Sequence, residues 1–167
     1  MSSVQRISRP MNRPDLPQAP AWHAPPAFEE KVGAMPSSRG FVAMLTAYRG
    51  TGGTARGDDL AQLLEDRRQG DFVSLARRIV AGDIFGFEWR HTFWIPMFQF
   101  NPGDLSVNPR SKQVLAELSN DFDGWALAAW FAEPSSWLGG AKPVDLLDSD
   151  IAAVLGAARA DRFIAAG

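Results

Sequence analysis

Ile84-Phe-Gly-Phe-Glu-Trp89, Arg90-His91, Thr92-Phe-Trp-Ile95 is the stretch on which the fold turns. Two short runs rich in aromatic and β-branched residues flank a two-residue break, which predicts a β-hairpin. Pro96 offers no N–H to a ladder, so it either places the second strand at an edge or ends it. Asn101-Pro-Gly103 then reads as a turn.

Outward from the hairpin the periodicity becomes helical on both sides. Upstream, Ser37 or Ser38 can cap a helix whose inward stripe is Phe41, Val42, Leu45 and Tyr48; Gly50-Thr-Gly-Gly53 stops it. A second helix spans about 57–67, with Leu60, Ala61, Leu63 and Leu64 inward and Asp58 and Asp59 in its first turn. A break at Gln69-Gly70 precedes a third helix over about 71–81, with Phe72, Leu75, Ala76 and Ile79 buried and Gly82 ending it. Downstream, Val114, Leu115 and Leu118 mark one helix. The segment Asp123-Gly-Trp-Ala-Leu-Ala-Ala-Trp-Phe131 marks the next, capped by Asp121 or Asp123 and closed by Pro134. Gly139-Gly140 is a tight turn, Pro143 suits the first position of a helix, and a last helix to Ile164 has Val154, Leu155 and Ala158 on its apolar side.

The expected fold is therefore mainly α. A degenerate helix-turn-helix with a short, wing-like β-hairpin occupies 37–100, and a small helical domain occupies 101–167. Residues 1–36 hold seven of the twelve prolines and read as a flexible tail, in which Trp22 and Phe28 are available to dock.

Composition narrows the function. There is no cysteine among the 167 residues, which excludes disulfides, thiolate metal sites and cysteine nucleophiles and fits a reducing cytoplasm. No apolar run resembles a signal peptide or reaches membrane-spanning length, so no membrane partner is expected. The two histidines, His23 in the tail and His91 in the hairpin turn, are too isolated for a metal site or a triad base. Asp145, Asp148 and Asp150 suit helix caps better than a cation site. A non-enzymatic protein without cofactor or metal is expected, with an unrecognised active site as the remaining alternative.

Charge is uneven. Residues 1–40 carry five basic and three acidic groups, 41–100 seven of each, and 101–167 five basic and nine acidic. A basic footprint for nucleic acid is absent from the whole chain. A local one is conceivable on the third helix, where Ser74, Arg77 and Arg78 are expected outward, with Arg67 and Arg68 before it and Arg90 in the hairpin turn. A solvated arginine face explains the same residues.

The segment Ala126-Leu-Ala-Ala-Trp-Phe-Ala-Glu-Pro-Ser-Ser-Trp-Leu-Gly-Gly-Ala-Lys-Pro-Val-Asp-Leu-Leu147 reads physically as a compact αα-hairpin core. Its Trp137-Leu-Gly-Gly-Ala-Lys-Pro-Val-Asp-Leu-Leu147 part, followed by a helix with Val154, Ala157 and Ala158, resembles the C-terminal toxin-binding domain of the Xre/MbcA/ParS antitoxins. Ile95-Pro-Met-Phe-Gln-Phe100 is similar to the short aromatic element joining the helix-turn-helix to that domain. The resemblance implies a type II antitoxin-like homodimer. It implies a cognate RES-type, NAD-degrading toxin as partner, shielded by the C-terminal domain, and operator DNA bound through the N-terminal module. It also implies Gly139, Gly140, Pro143, Leu146 and Leu147 as the structural motif, and Trp137, Leu138, Lys142, Arg159, Arg162 and Phe163 toward the partner, with 159–167 nearest to it. The alternative is a stand-alone DNA-binding regulator or adaptor without a toxin. The proline-rich tail and the long break between the second and third helices depart from the family pattern.

Overall fold

The first helix, α1 (Ser38–Tyr48), begins where Ser37 turns its hydroxyl oxygen onto the Gly40 N–H. The structure, a computed structural model, describes residues 36–167; the tail reading, with Trp22, His23 and Phe28, lies outside them. The inward face of α1 is Phe41, Met44 and Tyr48, while Val42 is 59% exposed. The expected stripe is thus corrected at Val42. Positions 41, 44 and 48 follow the 3-and-4 spacing of one helix face, whereas 42 falls one residue round from it. Phe41 stacks flat on Trp89 at a centroid distance of 3.9 Å and meets Trp94 edge-on at 5.2 Å.

Gly52 and Gly53, at φ +102° and +75°, swing the chain into a strand absent from the sequence reading, β1 (Thr54–Arg56). It runs straight into α2 (Gly57–Asp66), which buries Leu60, Ala61 and Leu64 and leaves Leu63 half-buried. After residues 67–71 comes α3 (Phe72–Val80), started by a reciprocal cap. Asp71 accepts the Ser74 N–H at 2.8 Å, and the Asp71 N–H donates to the Ser74 hydroxyl at 2.6 Å. Only Leu75 of α3 is buried. Phe72, expected inward, is 64% exposed, and Ala76 and Ile79 are half-buried. This helix touches the body along one narrow edge, so its apolar face is wider than the surface available to cover it.

The hairpin is present, shorter at its start than expected: β2 (Phe87–Trp89) and β3 (Thr92–Pro96), with Ile84, Phe85 and Gly86 buried ahead of the strand. Arg90 and His91 both take positive φ, +48° and +62°, as a tight two-residue turn requires. β3 is the central strand, antiparallel to both neighbours in the order β1-β3-β2. Pro96 therefore ends a central strand, opposite Thr54, and the edge-strand alternative is corrected. The element order to this point is α1-β1-α2-α3-β2-β3, helices around a small three-stranded antiparallel sheet.

Four more helices follow: α4 (Pro109–Leu118), α5 (Gly124–Ala132), α6 (Pro143–Leu146) and α7 (Ile151–Ala166). Asn108, Asp123 and Asp150 cap α4, α5 and α7 with their side-chain oxygens. The largest core cluster joins Phe41, Tyr48, Phe87 and Phe98 to Leu118, Phe131 and Val154, so 37–100 and 101–167 share it. A second cluster gathers Leu60, Leu64 and Leu75 with Ile84, Ile95 and Phe100 under α2 and α3. Burying each Phe or Leu side chain contributes about 1.5–3 kcal/mol. At the junction, α5 begins so close to β2 that a Cβ on Gly124 would collide with the carbonyl oxygen of Gly86.

Candidate functional site

Two surfaces collect the residues singled out by sequence. The first is the C-terminal end. Ser135, Gly139 and Gly140 fold the chain back after α5 through the 3-10 turn Ser136–Leu138, with Gly139 and Gly140 at φ +63° and +87°. Pro143 starts α6 and is buried, Leu147 is 3% exposed, and Leu138 and Leu146 pack half-buried on the core. Lys142 is half-buried at the position just before α6. The Gly139–Leu147 residues thus form the seat on which α7 rests.

Trp137 stands out of that seat, 56% exposed, yet it is anchored. Its indole N–H donates to one oxygen of Asp161 at 2.9 Å, and the Trp130 indole N–H donates to the other at 2.8 Å. One carboxylate on α7 therefore ties together α5, the Ser136–Leu138 turn and α7. On another side of α7, Arg159 and Arg162 both reach Glu117 of α4, at 2.9 and 2.6 Å. Both guanidinium groups are partly exposed, so each pair contributes at most about 1 kcal/mol. Phe163 and Ile164, 82% and 59% exposed, project from the last turn and a half of the helix. Of the residues read toward a partner, Trp137 and Phe163 are exposed, while Arg159 and Arg162 are engaged within the chain. Asp161 had no signal in the sequence beyond its position two turns along from Val154.

The second surface is α3 with the hairpin. Arg67, Arg68 and Arg77 are exposed. Ser74 is engaged in the cap of α3: its hydroxyl donates to the carbonyl or carboxylate oxygen of Asp71. Arg78 turns inward to donate to the Gln69 carbonyl at 3.3 Å, with its other terminal nitrogen buried. Arg90 lies folded over Trp89, 4.4 Å from the ring centroid, and donates to Ser38. The six residues therefore do not form one outward arginine face. The solvent side of α3 shows Phe72, Val73 and Val80, 64%, 53% and 89% exposed. Beside it runs a groove of about 310 Å³, walled by Phe72, Ala76 and Ile79 on one side and His91, Thr92 and Phe93 on the other.

Among the described residues no cluster of His, Asp and Glu is arranged to hold a metal ion. Burial pushes the Tyr48 phenol far above its usual range, with Glu133 adding to the rise, and its hydroxyl donates to the Ala128 carbonyl, so it is a core tether. Hydrogen bonds from Ser74 hold the Asp71 carboxyl below its ordinary value, and those from Ser106 do the same for Asp104. No helix among the described residues is long and apolar enough to cross a membrane. Comparison with protein-family models, with curated proteins and with solved structures finds no match to this chain.

Proposed function

We propose that this chain is a non-enzymatic, antitoxin-like binding protein that docks a partner toxin of the RES type through 101–167. The carrying observation is the C-terminal end of α7. Large apolar side chains at Phe163 and Ile164 stand in solvent on the last turn of α7, and Trp137, also exposed, has its ring fixed by Asp161 of the same helix. Exposed apolar groups in one region mark docking sites, and aromatic residues held in place are the usual anchors of binding energy. The likeness of Trp137–Leu147 to the antitoxin motif supplies the class of partner.

Co-expression with a RES-domain toxin encoded beside its gene tests this reading. The chain should restore growth, preserve cellular NAD and co-purify with the toxin. Phe163→Asp should weaken the complex at least about tenfold without altering the circular dichroism spectrum. Absence of any toxin gene nearby, or failure of a neighbouring toxin to co-purify, sinks the proposal.

A stand-alone DNA-binding regulator is the second reading, favoured by the helix-turn-helix and wing order of α1 to β3. It requires binding to the chain's own promoter that falls with salt; a slope near zero counts against it.

A further inference from the structure

We propose that α3 is a hinged flap, which leaves the body and returns as one unit while the rest of the fold stays closed. This holds whether or not a toxin binds the chain. Of the residues of α3 only Leu75 is fully buried, set in the second core cluster, while Ser74, Ala76, Arg78 and Ile79 are half-buried. The side-chain hydrogen bonds of the helix and its cap all stay within 69–78. Among the described residues no salt bridge ties 71–81 to another element. Apolar packing therefore supplies the attachment, and it is incomplete on two sides. The groove of about 310 Å³ runs along Phe72, Ala76 and Ile79, and a second cavity of about 240 Å³ is walled by Ile79 together with Gly82, Ile84, Phe93 and Leu115. A side chain facing empty space lacks the dispersion contacts of a packed one. The closed helix also keeps one terminal nitrogen of Arg78 buried without a partner, a cost that opening to water relieves.

Both ends of α3 carry backbone suited to a hinge. Arg68 and Gly70 precede it at φ +55° and +146°, and Gly82 follows it at φ +75°. Short connections of this kind absorb the backbone change when an element swings. Just outside them the chain is fixed. Leu64 and Ile84 are buried, and Asp83 pairs with Lys112 of α4 at 2.8 Å. Off the body, nine residues fall short of the roughly 12–15 that an isolated helix needs. The helix therefore loses its own hydrogen bonds whenever it detaches, and opening becomes visible at its amides. Elements at this low end of the stability range are the ones that move in binding and switching.

Native-state hydrogen exchange on the full chain tests this without any mutation. The amides of 76–80 should share one protection factor, at least about a hundredfold below those of Leu115, Leu118 and Phe131. Low urea should hardly change it, because a local opening exposes little surface, while the core amides lose protection steeply. The chain has no cysteine, so a single introduced thiol gives a second measurement. Leu75→Cys should react with a soluble disulfide reagent at least about a hundredfold faster than Leu118→Cys, although both positions are buried in the closed fold. Core-like protection across α3 overturns the proposal, since the helix then opens only with the whole molecule. So does protection that grades inward from the helix ends, which is fraying, or a Leu75→Cys thiol that reacts no faster than Leu118→Cys.

Discussion

Gln99 is fully buried among aromatic rings, yet every polar atom of its amide is engaged. Its oxygen accepts the Phe85 N–H at 2.8 Å, and its nitrogen donates to the Phe85 and Pro96 carbonyls at 2.9 and 3.0 Å. It thereby completes the backbone pairing of Phe85, which lies just before β2 and has no strand partner of its own. Gln99→Leu keeps the volume and strands those groups without partners. Urea unfolding should show a loss of about 2–4 kcal/mol, since each orphaned buried group costs about 1–3 kcal/mol. A loss under about 0.5 kcal/mol would mean that water or a backbone shift replaces the amide. The sequence shows a polar residue inside Met97-Phe-Gln-Phe100, but not its partner fourteen residues away, because a side-chain hydrogen bond to distant backbone leaves no periodic trace.

At the level of elements, α3 starts at a reciprocal cap and buries only Leu75 fully. The Asp71 carboxylate is stabilised by accepting from Ser74, so its folded pKa lies below the unfolded value of about 3.9. Its contribution is therefore fully present above the unfolded value and disappears as pH falls through the folded one. Amide shifts of α3, followed by NMR from neutral to acid pH, should hold steady to about pH 4 and then move together. Asp71→Asn, still a good cap, should remove that step. Helices with strong caps and wide stripes were legible in sequence: Asp123 starting α5, Pro143 starting α6, and Val114, Leu115 and Leu118 turning inward from α4. β1 was not, because three residues carry no alternation and the strand exists only through pairing with β3. The faces of Val42 and Phe72 were misjudged for a related reason. An apolar residue beside a stripe is buried only if another element reaches it, and periodicity does not say which elements do.

Across the whole molecule, the two halves read from sequence are joined by one aromatic core. Phe85 stacks against Phe131 at 5.7 Å, Phe98 lies 4.8 Å from Phe131, and the Trp125 indole donates to the Glu88 carbonyl at 2.7 Å. Neither 37–100 nor 101–167 retains its share of that core alone. Each fragment should lack a cooperative thermal transition, while the full chain unfolds in a single step by both tryptophan fluorescence and circular dichroism. A cooperative transition in either fragment would refute that coupling. The candidate sites were only partly legible: Trp137 and Phe163 stand outward, but the use of Arg159, Arg162 and Arg78 within the chain depends on Glu117 and Gln69, which folding alone brings near. The Asp161 carboxylate has a consequence for time as well as place. An indole whose N–H is fixed cannot wobble freely, so Trp137, though surrounded by water, is set before anything arrives. Ordering such a side chain on association otherwise costs about 0.5–1.5 kcal/mol. With that cost met by folding, the advantage goes to the lifetime of a complex rather than to its rate of encounter.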